Sequence, residues 1–367
     1  MSSQPPGSLL QTEIGQVTRI DRTRPGAQEL TVAVAGTEER AINYTGLLGE
    51  VEAGEQVLLN TTAVRAHLGT GGYHFVMKRT RAEKPAEAPG HIVKLRYTPL
   101  QFRCHTVEEQ DSPYRPAIEA TDDLTEMPVI VAALHSQVPA AAAAAKALAP
   151  EARIAYIMTD AAALPLAFST LVPRLKEAEL LDATITVGQA FGGDYEAVNV
   201  YTGLLAARAV AAADIAIVSQ GPGNVGTETE WGFGSIVQGD HLNAAGVLNG
   251  LPIAVPRISF ADARPRHRGV SRQTLVTLGR VTCVQCVVSV PEMAPEKLEQ
   301  VQRQLDDEGI ISRHEVLVAK GQAGVEALAQ RGIEVTTMGR TPEQDPEFFL
   351  AAGAAGAIAA TRMSGEG

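Results

Sequence analysis

The feature that most limits this chain is a rhythm that begins after about residue 90. Apolar runs of strand length recur with helix-length stretches between them. Runs such as Val129-Ile130-Val131 are apolar without alternation, which is what a strand covered on both faces requires. Strands are expected near 91–97, 128–134, 153–159, 183–188, 214–219, 252–258, 283–290, 315–319 and 333–337. The clearest helices are Ala140 to Ala149, Ala161 to Ala178, Tyr195 to Ala212, Ala294 to Asp307, Gly324 to Arg331 and Asp345 to about Ala360. Strand, helix, strand at this spacing means parallel pairs joined by crossover helices. An open, mostly parallel three-layer α/β sheet is therefore the first expectation. A closed eight-stranded barrel is the runner-up, because strand count alone does not exclude closure.

Residues 11–79 follow a different pattern. Short β-type runs, Gly15 to Ile20, Glu29 to Val34, Glu55 to Asn60 and Tyr73 to Lys78, are separated by turns such as Arg24-Pro25-Gly26 and Gly69-Thr70-Gly71-Gly72. They predict a small N-terminal β-barrel of about five strands. Residues 1–10 read as disordered. Residues 80–90 form a charged, Pro- and Ala-rich linker, which leaves 91–367 to the α/β domain.

Composition narrows the function. A formal net charge of −11 argues against nucleic acid and anionic membrane as partners, since both need a basic face. The start MSSQPPGSLL lacks a secretory pattern and no run is long enough to span a bilayer, so a cytoplasmic protein is expected. Three cysteines make no disulfide framework. Cys283 and Cys286 form a lone CxxC in the apolar run VTCVQCVVSV, which reads as a strand holding two buried thiols.

In either architecture ligands bind at the carboxyl ends of the parallel strands. The residues just past five successive strands are His135 and Ser136; Thr159 and Asp160; Gln189 then Asp194; Gln220 and Asn224; and Asp262. Each group can hydrogen bond, ionise or hold a metal. AFGGD at 190–194 pairs a tight turn at Gly192 and Gly193 with Asp194 at a helix N-cap, and Glu196 follows in the first turn as a dipole partner, metal ligand or base.

The loop SQGPGNVGTETEWGFG, residues 219–234, follows the apolar run 215–218. Its Gly221, Gly223, Asn224, Gly226 and Thr227 offer backbone N–H groups and small polar side chains to a small polar ligand. It matches neither a P-loop nor a dinucleotide fingerprint. RISFADARPRHRGVS, residues 257–271, concentrates arginine in an otherwise acidic chain. Arg264, Arg266 and Arg268 precede Gly269 and a helix with Ser271 at its cap, an arrangement suited to an anion. His267 in their midst should resist protonation and suits a base or a metal ligand.

AFGGD, GPGNVGT and RISFADARPRHRGVS, with KLRYTPLQ at 94–101, YIMTDAAALPLAFS at 156–169, LLNTTA at 58–63 and LGTGGYHFV at 68–76, resemble an uncharacterised bacterial protein family recorded only as a domain of unknown function. The resemblance covers nearly the whole chain and implies no reaction. Two readings stand. In one, a hydrolase or transferase binds a small, phosphorylated or otherwise anionic metabolite through Gly192, Gly193, the loop and the three arginines. Asp160, Asp194, Asp262 and His267 then supply acid, base or a site for a divalent metal. In the other, the same pocket serves a sensor or scaffold whose barrel dimerises, and a homo-oligomer is expected.

Overall fold

The computed structural model describes residues 9–81 and 89–363. The expected disorder of residues 1–10 and the linker at 80–90 lie mostly outside them. The chain divides into two compact units, residues 1–89 with 95–103 and residues 90–94 with 104–367.

The first unit is a closed five-stranded barrel of β1 (Thr12–Arg24), β2 (Ala27–Val34), β3 (Thr37–Tyr44), β4 (Gln56–Asn60) and β5 (Tyr73–Arg79). Its order is β1-β2-β3-β5-β4, and β1 closes on β4. Val17, Leu30, Val32, Ala41, Val57 and Leu59 fill the interior. A Cβ at Gly15 would lie 2.7 Å from Leu59 Cδ1, so a larger residue here would have to shift that core side chain. β3 had no counterpart among the expected strands: Thr37-Glu38-Glu39-Arg40 is polar, and of this strand only Ala41 joins the apolar core of the barrel.

The second unit is built on an eight-stranded sheet, parallel throughout. Its strands are β6 (Pro128–Ala132), β7 (Ile154–Thr159), β8 (Ala183–Val187), β9 (Tyr195–Ala197), β10 (Ile215–Gln220), β11 (Leu251–Val255), β12 (Val287–Pro291) and β13 (Glu315–Ala319). The order is β9-β8-β7-β10-β6-β11-β12-β13. The sheet is open, so the closed eight-stranded barrel is not the fold. The chain winds outward from β7 to β9, returns to insert β10 between β7 and β6, then passes β6 to lay down β11. The winding direction therefore reverses around β6 and β10, the kind of position where the carboxyl ends of an open α/β sheet leave a crevice.

Helices cover both faces. They are α1 (Val138–Leu148), α2 (Leu171–Glu177), α3 (Val200–Ala209), α4 (Val237–Val247), α5 (Arg272–Val276), α6 (Pro295–Asp307), α7 (Gln322–Gln330) and α8 (Pro346–Met363). Two apolar clusters flank the sheet. Along β10, Ala216 and Val218 enter one while Ile215 and Ile217 enter the other. The Ala-rich α1 and α8 pack at backbone distance, where a Cβ at Gly356 would sit 2.1 Å from the Ala141 carbonyl oxygen. Close approach of small residues makes this helix contact, and Phe348 and Phe349 at the start of α8 fill the same layer beside it.

Several expected elements are corrected. Tyr195 to Ala197 form β9 rather than helix, because Ile185 to Val187 of β8 offer an open ladder. The helix starts after Asn199, whose Oδ1 accepts from Tyr201 and Thr202 N–H; Asn199, not Asp194, is the cap. The helix expected over 161–178 shrinks to α2, since Leu166 N–H and Phe191 N–H are spent between two strand-end loops. No strand forms at 333–337, where Thr337 bridges only to Arg340. The strand expected at 283–290 begins at Val287, so Cys283 is exposed and only Cys286 is buried. No helix among the described residues is long and apolar enough to cross a membrane.

Candidate functional site

A cleft of about 610 Å³ opens at the carboxyl ends of β6, β10 and β11. Its walls come from Leu134–Ser136 after β6, Phe168–Leu171 ahead of α2, Gln220–Gly226 with Glu228 after β10, and Arg257, Arg264, Arg266 and His267 after β11. Gln273 and Thr336–Met338 complete it.

The arginine wall is organised by one carboxylate. Asp262, 4% exposed, receives Arg264 through both oxygens, at 2.9 and 2.8 Å, and Arg257 Nη2 at 3.0 Å. Arg340 lies 3.6 Å from the same carboxylate and bonds Asp345 at 2.9 Å. The bidentate bond from Arg264 holds the Asp262 carboxyl far below the usual carboxylate range. An acid so stabilised neither donates a proton at neutral pH nor has a lone pair to spare as a base. Its role is to array guanidinium groups. Arg266 leans on Glu228 at 2.8 Å, a pair open to solvent on both sides.

His267 belongs to this wall. The turn Pro265–His267 and the return strand at Gly269-Val270 bury the ring to 2% exposure and bring Nδ1 to 2.7 Å from Ser271 Oγ. Ser271 thus serves the imidazole, and its side chain makes no cap bond to α5. Burial, then the charges of Arg257 and Arg264, pull the His267 pKa down to about 4. The ring is neutral at pH 7, and its Nε2 bonds no described residue.

The opposite wall carries a second Ser–His pair. Ser169 Oγ accepts from the N–H groups of Leu171 and Val172, so its proton goes to His135 Nε2 at 2.8 Å. His135 Nδ1–H then donates to Tyr156 Oη at 2.9 Å. Every position on Ser169 is occupied. The chain braces the cleft wall, and Ser169 is not poised as a nucleophile.

The glycine-rich loop forms the rim. Gly223 takes φ +102°, open only to glycine at low cost, although a Cβ there would meet nothing within 4 Å. Asn224 Oδ1 pins the loop by accepting from Gln220 Nε2 at 3.2 Å and Ser235 N–H at 2.9 Å. The N–H groups of Gly223, Asn224, Val225 and Gly226 donate to no described residue. Thr227 turns the other way, its hydroxyl spent on Thr229 and the Gly232 carbonyl.

Of the residues singled out from the sequence, His135, Ser136, Gln220, Gly221, Gly223, Asn224, Gly226, Arg264, Arg266 and His267 line this cleft, and Asp262 stands behind it. The others do not line it. Asp194 lies beside the first residues of β8, where its carboxylate takes Thr184 N–H at 2.8 Å and Lys176 at 2.6 Å. The reason is β9: pairing Tyr195 with Ile185 carries the chain back along β8, away from the carboxyl edge. Gly192 N–H goes to Glu196 and Gly193 N–H to Thr186, so neither is left for a ligand. Glu196 sits in β9 rather than a helix and pairs with the fully buried Lys94 at 2.5 Å. Asp160 accepts Gln189 N–H in a turn, and Arg268 is exposed outside the cleft. Three His, Cys, Asp or Glu ligand atoms gather within 4.8 Å at His91, Glu109 and Asp111, none of which lines the cleft.

His135 and Gln220 were legible as strand-end residues. Ser169 and Thr337 carried no local signal, because each reaches the cleft from a loop whose path is set by distant contacts, whereas Glu228 lies within the glycine-rich loop and Gln273 in α5.

A family model described as a protein of unknown function, DUF3866, matches residues 40–356. No curated protein and no solved structure matches the chain.

Proposed function

Since the chain belongs to this DUF3866 family, whose description names no reaction, we propose from the cleft itself that it binds a small anionic metabolite and acts on it with His267 as proton acceptor. Arg257, Arg264 and Arg266 supply the charge, and the Gly223–Gly226 backbone supplies oriented donors. The observation that carries the reading is His267. A neutral imidazole, fixed at Nδ1 by Ser271, shares one wall with guanidinium groups that would hold an anion. As a hydrolase or transferase, it would take the proton from water or an acceptor hydroxyl as that oxygen bonds to the phosphorus or acyl carbon. The bond to the leaving group breaks, and the imidazolium returns the proton to it. A phosphorylated metabolite suits the arginine forks best. Three free cysteines support a reducing compartment, and this reading assigns the protein to the bacterial cytoplasm.

The second reading is a metabolite sensor, a homo-oligomer joined through the barrel. It is favoured by the commitment of Asp160, Asp194 and Asp262 to intramolecular bonds. Calorimetry and thermal shift against phosphate monoesters and small carboxylates separate the readings. Arg266→Ala should weaken the best anion by about tenfold or more. His267→Gln should keep binding while abolishing turnover of the bound compound. Binding without turnover in the wild-type protein selects the sensor, and no stabilisation by any anion rejects both.

A further inference from the structure

The groups suited to an anion occupy only part of the cleft. Its volume of about 610 Å³ is that of a site for a whole organic ligand and is too large for an inorganic ion alone. Apolar lining comes from the half-buried Leu134, Phe168 and Leu171, and from Val225 and Met338. Those last two are 67% and 66% exposed. A single exposed apolar side chain needs no explanation, but these two reach one cleft from separate loops.

Met338 stands there against its backbone preference. Thr337 and Arg340 exchange both backbone hydrogen bonds, at 2.9 and 2.8 Å, and close a turn with Met338 at φ +48° and Gly339 at φ +76°. A turn with two positive φ values favours asparagine, aspartate or glycine at its first central position, and methionine there is strained. Arg340 anchors the turn on Asp345 at 2.9 Å. Val225 is fixed in the rim through its carbonyl, which accepts Gly234 N–H at 2.9 Å.

Resting on the anion reading above, we infer that the ligand of this cleft is an anion with an apolar body, which packs against Met338 and Val225 while the arginines hold its charge. Arginines and apolar residues line the same concavity, so one small molecule satisfies both. Covering the two exposed side chains is a gain that neither an inorganic ion nor a polyol phosphate provides. The substrate class is an alkyl or aryl phosphate monoester.

The test uses the full chain in calorimetry with two probes of equal charge, methyl phosphate and n-hexyl phosphate. The wild-type protein should bind the hexyl probe at least about tenfold more tightly, a ratio that burial of about 55 Å² of apolar surface supplies. Met338→Gly removes the side chain and suits φ +48°, so the turn persists. Combined with Val225→Ser, it should lower the ratio to about threefold or less, whereas Arg266→Ala should weaken both probes alike. Equal wild-type affinities, with sensitivity to Arg266→Ala retained, overturn this inference and leave the anion reading standing. A hexyl preference unchanged in the double variant overturns it as well, because the apolar contact then lies elsewhere. Binding of neither probe overturns both readings.

Discussion

Arg264 holds Asp262 by both ends of its carboxylate, Nε to Oδ1 at 2.9 Å and Nη2 to Oδ2 at 2.8 Å. Arg257 reaches the same group from the buried side. Asp262→Asn should therefore act on the fold, costing about 3 kcal/mol or more because Arg257 would keep a buried charge without its counter-ion. Urea denaturation measures this. A variant as stable as the wild type would return Asp262 to the candidate reacting groups.

Asp194 makes the opposite case. Asp194→Ala removes bonds to Thr184 and Lys176 at the far end of β8. We expect a loss of about 1–2 kcal/mol in stability and no change in affinity for any anion that binds the cleft. A tenfold loss of affinity with stability retained would contradict the separation of Asp194 from the site.

Glu228 occupies Arg266 as a ligand's own carboxylate would. Glu228→Gln should tighten anion binding by up to about fivefold, since the competing pair is solvent-exposed and weak. Titration of one phosphate monoester into both proteins decides it, and weaker binding to the variant would mean that Glu228 orders the rim.

Gly223→Val places a branched side chain at φ +102°. No neighbour obstructs it, so the cost is local backbone strain of about 1–3 kcal/mol, relieved by moving the loop. Anion affinity should fall at least about tenfold while the core remains folded. Unchanged affinity would remove the loop from the site.

Acid should destabilise the protein before its carboxylates titrate. Burial pulls His135 and His241 down to about 4, and burial with neighbouring arginines does the same to His267. An unfolded histidine titrates near pH 6.5, so between about 6.5 and 4 the unfolded chain binds protons that the fold refuses. This stability is fully present above that window, is lost as pH falls through it and changes no further below about 4. His135 alone contributes on the order of 3 kcal/mol. Denaturation midpoints at pH 7.5, 5.5 and 4.5 test the slope, and His135→Gln should flatten it.

Much of this architecture was readable from local pattern. Unbroken apolar runs such as Val129-Ile130-Val131 mark strands covered on both faces, and the N-terminal turns mark the barrel. α4 was not singled out because Gly239, Asp240 and Gly246 blur its apolar stripe. Yet a Cβ at Gly239 would lie 2.7 Å from Val281, so the glycine is there for close packing. Two misplaced helix boundaries share one cause: backbone groups at 164–166 pair with Phe191 and residues 195–197 pair with β8, in place of helical partners within the segment.

What the sequence alone determined is the sheet-and-barrel plan, the glycine rim and the arginines with His267, since these follow from periodicity, backbone freedom and charge at strand ends. Tertiary structure alone decided which carboxylates are spent. Pairing of β9 with β8 sends Asp194 to the wrong edge, and the turn after β11 sets Asp262 among Arg257, Arg264 and Arg340. It also decided that Gln220 keeps one buried, unmatched oxygen, because both groups that claim its nitrogen, Ala133 and Asn224, meet it only once β6 and the rim loop are in place. Hydrogen-bond partners are chosen by three-dimensional proximity, and a linear pattern does not carry that choice.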